Sequence, residues 1–212
     1  MRHRTVKLAA LAALALAAMA AHAAPPTTEL KVTGRIAVPT CTVAAPDAGT
    51  YDFGRFSSTL IKSGSTHTAL TPIKKTWSVS CDADTFLTFK VIDNRDSSSS
   101  YPSDNGAFGL GNVNTTGKIG YYNVLVSNPT VDSVASTFSS STGTALTGDN
   151  YIRKANYTMA WSIGSTALKA GQTFAADFEV RPFLGGSTHM NGPVTEQVAL
   201  DGSLTLNFAY GL

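Results

Sequence analysis

"LDGSLTLNFAYGL" (residues 200–212) puts Leu204, Leu206, Phe208, Tyr210 and Leu212 at every second position, with Ser203, Thr205 and Asn207 between them. Beyond Gly202 the same phase continues at Leu200 and Val198, with Asp201 on the other side. Strand side chains point to opposite faces with period two, so this spacing gathers the large apolar groups on one face. The segment reads as a half-buried strand. Taken as the last strand of the fold, it raises the question of what covers its apolar face.

The same alternation recurs upstream. Period-two runs cover Leu30–Ile36, Trp77–Cys81, Phe86–Ile92, Lys118–Val126, Tyr157–Ile163 and Phe174–Phe183, and a last one extends over Val194–Leu212. Helical periods are scarce beyond residue 23. Short strands punctuated by turn-rich stretches predict a single all-β domain, a sandwich or a barrel. Two connections are longer than hairpins require. Residues 93–112 and 127–150 are rich in Ser, Thr, Gly and Asn and are expected to be solvated or partly disordered surface loops.

The first residues read differently. Arg2, Arg4 and Lys7 precede an unbroken apolar run from Leu8 to Ala21, and Ala21-His22-Ala23 fits a small-x-small cleavage site, so residues 1–23 are expected to be a secretory signal peptide. No later stretch approaches the roughly 20 apolar residues of a membrane-spanning helix, so no stable membrane insertion is expected. Of sixteen Lys and Arg, three fall in the signal and all fourteen Asp and Glu fall after it. The exported chain is therefore nearly neutral, without the basic excess that attracts nucleic acid or anionic lipid. Cys41 and Cys81 are the two cysteines, and in an exported chain an even pair reads as a disulfide.

Little in the sequence points to chemistry. His3 and His22 lie in the signal, leaving His67 and His189. No zinc spacing, nucleophile elbow or phosphate-cradling loop is present, and no cofactor is expected. The weakest readings are a Ser–His site at His189, a calcium site at Asp93, Asp96, Asp104 and Asn105, and sugar stacking on Trp77 or Trp161. Turn, solvated loop and core packing are the better accounts of these three.

Several stretches in order resemble the pilins assembled by the chaperone–usher route. "GRIAVPTC" (34–41) is similar to their run into the first cysteine, "YDFGRFSSTLI" (51–61) to the short strand after it, and "WSVSC" (77–81) to the strand ending at the second. "ADFEVRPFL" (176–184) and "GPVTEQVALDGSLTLNFAY" (192–210) resemble the closing strands, and the large insertions are those of a pilin-like subgroup. The resemblance implies an incomplete immunoglobulin-like β-sandwich completed by donor-strand exchange. A periplasmic pilus chaperone fills the groove first, and the N-terminal extension of a neighbouring pilin subunit replaces it at an outer-membrane usher.

On this reading residues 24–33 are the candidate donor, with Leu30 and Val32 as its apolar side chains, and residues 34–212 are the pilin-like domain. Leu204, Leu206, Phe208 and Tyr210 form the acceptor wall. A ten-residue donor ending at Thr33 reaches about 33 Å. A subunit that donates and accepts, and one that only accepts, both stay open. The implied function is a non-enzymatic structural subunit of a fimbria, exported through the periplasm to the cell surface. The alternative is a tip adhesin or carbohydrate-binding module using loops 93–112 and 127–150, with Tyr101 or Phe108 as contacts.

Overall fold

A computed structural model of the protein describes residues 25–36 and 38–210; the expected signal segment and Leu212 lie outside them. The chain divides into two units at Ile36 and Ala37. In the first, residues 25–36 form no strand and are exposed throughout. The alternation at Leu30–Ile36 therefore exists in the sequence without a strand in the fold. An extended segment needs a ladder partner to be stable, and apolar spacing alone does not supply one.

The second unit is all-β. Its strands are β1 (Cys41–Ala44), β2 (Thr68–Ala69), β3 (Ile73–Asp93), β4 (Phe108–Gly109), β5 (Asn112–Val113), β6 (Gly117–Lys118) and β7 (Gly120–Val131). There follow β8 (Val134–Ala135), β9 (Thr137–Ser141), β10 (Thr147–Gly148), β11 (Thr158–Ile163), β12 (Ala167–Leu168), β13 (Ala170–Leu184) and β14 (Leu204–Tyr210). Apart from the small β5–β6 hairpin they join one curled antiparallel sheet, with the path β10-β9-β11-β3-β13-β7-β4. No helix among the described residues is long and apolar enough to cross a membrane.

β3 organises the sheet. The two runs read separately at Trp77–Cys81 and Phe86–Ile92 belong to this one 21-residue strand. Its first half pairs with β13 from Ile73 to Ser80. Its second half pairs with β14 from Leu87 to Asp93 and with β11 at Thr88–Lys90. The changeover lies at Asp82, Ala83 and Asp84, which are exposed. There the register of β13 shifts between Gly171 and Thr173. Gly171 is required at this shift, because a Cβ on it would stand 2.3 Å from Val131 Cγ1. β1 pairs with β3 so that Cys41 faces Cys81, and the two are joined by a disulfide. Closing that 40-residue span stabilises the fold by about 4 kcal/mol on the loop-entropy estimate.

One aromatic group centres the core. Trp161 is 2% exposed and lies 5.5 Å from Phe138, 5.7 Å from Phe174 and 6.1 Å from Phe89 between ring centroids. Its indole N–H donates to Ala175 O at 3.1 Å, so no polar group is stranded.

Parts of the two connections expected to be solvated loops are instead built into this core, while residues 101–103, 132–135 and 142–145 are exposed as expected. In 127–150, β7 continues to Val131, β9 places Phe138 in the core, and Ser139, Ser140 and Ser141 are buried. Ser139 Oγ and Ser162 Oγ bond each other at 2.6 Å across β9 and β11, which is how a serine-rich strand is buried without loss. In 93–112, Ser98–Ser100 and Ala107–Leu110 are buried. Lys154 secures this segment: its ammonium donates to Asp96 at 2.6 Å and Ala107 O at 2.6 Å and lies 3.4 Å from Asp93. Composition suited a loop, but Ser139 and the carboxylates of Asp93 and Asp96 find partners remote in sequence, and those partners offset the cost of burial.

Candidate functional site

The inner faces of β13, β7 and the first half of β3 are apolar: Phe178 and Val180, Tyr122 and Val124, and Val79 are buried. Among the described residues no further strand covers this floor. Two irregular segments flank it, residues 50–61 on one side and 194–203 leading into β14 on the other. Between them run two clefts of about 410 Å³ and 610 Å³, sharing Tyr51, Phe53 and Leu200 in their walls. Trp77, Tyr122, Phe178 and Val180 form the floor of the first, and Ile119, Leu184 and Met190 that of the second.

The first wall is held by a short relay. Tyr51 Oη donates to Phe178 O at 3.1 Å and accepts the Trp77 indole N–H at 3.0 Å. Lys75 stands over the Tyr51 ring, 5.1 Å from its centroid, bonded to Asp47 and to Thr50 O. Burial pushes the Tyr51 phenol up, and the Trp77 bond opposes this. Burial also pushes the Tyr122 phenol well up, with the Asp93 charge adding to it. Both phenols are therefore neutral in the working range, which suits an apolar floor.

The second wall is where the last strand enters. Along β14, Leu204, Leu206, Phe208 and Tyr210 are half-buried while Thr205, Asn207 and Ala209 are exposed. Gly202, which interrupts the apolar phase, lies so close to the Tyr122 ring that a Cβ there would stand 2.7 Å from Cε1. Upstream of it, no backbone amide from Val194 to Leu200 donates a hydrogen bond to any described residue, although Val194 and Leu200 pack on the core. Among the described residues β14 pairs only with β3, leaving its other edge open. Apolar side chains below and unpaired backbone groups alongside are the two things an added β-strand requires.

The expected acceptor residues divide here. Leu204 and Leu206 line the cleft. Phe208 packs on Phe89 at 5.3 Å, and Tyr210 sits opposite Leu87, and neither reaches it. Sequence alternation placed all four on one face correctly, but a face can serve the closed core at one end and the open cleft at the other. The wall residues Tyr51 and Phe53 and the floor residues Trp77, Tyr122 and Phe178 went unidentified as a site, because each reads as ordinary packing. Trp77, expected as core, lines the cleft. Leu30 and Val32 are 85% and 89% exposed, as are Ile36 and Val38 farther along at 107% and 83%.

Other expected contacts also find their places. Phe108 is fully buried and unavailable as a surface contact, whereas Tyr101 is exposed. Asp93 and Asp96 face Lys154, and Asp104 lies 3.7 Å from Arg153. These carboxylates are thus paired with cations, while Asn105 O accepts the Lys154 backbone N–H at 2.9 Å. His67 and His189 come together at 4.5 Å, and His67 Nε2 bonds Ser100 Oγ at 2.8 Å. No described carboxylate orients that imidazole through its other nitrogen, as a hydrolytic Ser–His pair would need. No family model matches the chain, and a search of curated proteins finds no match, so its function has to be argued from the residues.

Proposed function

We propose that this protein is a structural subunit of a chaperone–usher fimbria, with an open groove completed by a β-strand from a partner. A periplasmic chaperone supplies that strand first and the N-terminal segment of a neighbouring subunit replaces it at the outer-membrane usher. The subunit passes through the periplasm and ends on the cell surface. The observation that carries this reading is the cleft between residues 50–61 and 194–206, with its apolar floor and a wall of unpaired amides from Val194 to Leu200.

The segment ahead of β1 supports the donor half. Leu30, Val32, Ile36 and Val38 share one phase and are all strongly exposed. From Leu30 to Val38, nine residues would extend about 30 Å. Burying four such side chains at about 1.5–3 kcal/mol each is worth on the order of 10 kcal/mol. That is comparable with the whole stability of a typical domain, so an unfilled subunit is marginal and a filled one is firm.

The test is co-expression with the pilus chaperone of its own operon, followed by native mass spectrometry. A one-to-one complex, with the free subunit melting far below the complexed one, is the expected result. A free monomer as stable as the complex would overturn the reading. A chimera carrying residues 25–40 after a flexible linker at the C-terminus should melt at a much higher temperature than the parent chain.

A further inference from the structure

We propose that the outer face of the sheet, opposite the cleft, carries a saccharide-binding site built on Tyr101, Tyr121 and Phe183, with His67 and His189 at its rim. Adjacent strand residues point to opposite faces, so while Tyr122 and Leu184 are buried beneath, Tyr121 and Phe183 stand on the outside. They are direct cross-strand partners between β7 and β13, their rings stacked at 4.8 Å and 11°. Tyr101 extends the row at 5.6 Å from Tyr121 and is 47% exposed. Its position is set by the chain before it, where Ser99 bridges to Gly120 and Ser100 N–H donates to Gly120 O at 3.2 Å. His67 meets the Tyr121 ring edge-on at 5.1 Å, and His189 lies 4.5 Å beyond it.

None of these five rings belongs to the hydrophobic core, so the fold gains little from their number. What they make is a partly exposed cluster of rings, Tyr121 and Phe183 stacked on each other and Tyr101 its exposed member, with polar groups along its edge. Ser100 Oγ bonds His67, the Asp104 carboxylate acts on Tyr121, and His189 Nδ1 is buried without any partner. A pyranose has the matching chemistry: one face of polarised C–H groups that an aromatic quadrupole attracts, and a rim of hydroxyls for neutral donors and acceptors. Cations that would favour an anion instead are engaged elsewhere. Lys118 donates to Ser99 O, and Arg153 is bonded to Asp149 and lies near Asp104. Burial, then His189, holds His67 towards its neutral form, which suits hydroxyl recognition. Because the site lies on the opposite face from the cleft, it is independent of the strand-addition reading and stays open when a strand is bound.

The experiment is an array of hexose-, hexosamine- and sialic-acid-terminated glycans probed with the purified full-length exported chain. The leading glycan is then titrated while the His67 and His189 imidazole resonances are followed by NMR. Binding to a hexose- or hexosamine-terminated glycan, with both imidazoles shifting, is expected. Tyr101→Ala should weaken it about tenfold at unchanged melting temperature, since Tyr101 is exposed. Tyr121→Phe, which keeps the ring, should bind within a few-fold of the parent. A silent array would overturn the proposal, and so would binding that Tyr101→Ala leaves intact or that shifts neither imidazole.

Discussion

The two tryptophans sit in two halves of one sheet and live in different surroundings. Trp161 is enclosed by Phe89, Phe138 and Phe174, with its N–H satisfied by a backbone carbonyl. Trp77 has Phe178 at 5.6 Å and gives its N–H to Tyr51, and the rest of it faces the cleft. β3 carries Trp77 in one half and Phe89 in the other, so one strand connects an enclosed aromatic core to the floor of a cleft. The difference teaches that the openness is local. The core around Trp161 is enclosed, and on the function proposed above a partner's strand would cover β13 and β7.

Four outcomes would sharpen or break this contrast. Trp161→Ala should cost about 3–5 kcal/mol in urea unfolding, whether or not a strand fills the cleft. Trp77→Ala should cost clearly less in the unfilled chain and more in the chimera with residues 25–40 appended; equal costs in both would mean that the cleft is not where the strand goes. Lys154→Ala comes next. It leaves the Asp93 side chain, 1% exposed, with two backbone N–H groups, of Arg95 and Gly109, and no cation, and should cost about 3 kcal/mol. A loss near zero would mean that the 93–112 segment is not held by this contact.

The third outcome separates two residues of one strand face. Leu206→Asp puts a charge where an added strand would bury it, so chaperone capture should fall more than tenfold while the free chain changes little. Phe208→Asp faces Phe89 and should lower the melting temperature of the free chain instead. Capture by native mass spectrometry beside thermal melting distinguishes the two, and the reverse pattern would put the groove farther along β14.

The smallest effect is acid sensitivity at the His67–His189 pair. Burial, then His189, lowers the His67 pKa, so the folded chain resists a proton that the unfolded chain accepts. The stability from neutral His67 is therefore fully present above about pH 6.5 and is lost as pH falls from there through its lower folded value. Melting temperature should drop modestly across that window, and the drop should disappear in His67→Gln. The adjoining turn carries Met190 into the cleft floor, so acid should also loosen that end of the groove.

How much of this was legible depends on whether a residue's surroundings are near in sequence. The β14 alternation and the Phe174–Phe183 run were readable because period two is local, and burial follows it residue by residue in both strands. The Cys41–Cys81 bridge was readable from cysteine count and expected export. The continuity of β3 was not, because Asp82-Ala83-Asp84 looks like a turn and the strand runs through it only because distant strands pair with β3 on either side. The burial of residues 138–141 was hidden for a similar reason: Ser139 is satisfied by Ser162, and no local signal announces that pairing. The cleft was half legible, since its β14 wall follows from alternation while its floor is drawn from β3, β7 and β13.

By itself the sequence determined the all-β class, the cysteine pair and the one-sided final strand, since each rests on spacing or composition within a few residues or on a simple count. Only the tertiary structure decided which part of that one-sided face is covered. Phe208 is met by Phe89 while Leu204 and Leu206 are left beside an open floor, because coverage depends on which distant strands arrive and where the sheet curls. It also decided that Tyr121, Phe183, Tyr101 and two histidines share one outer surface, since cross-strand register, which no single segment encodes, places them together.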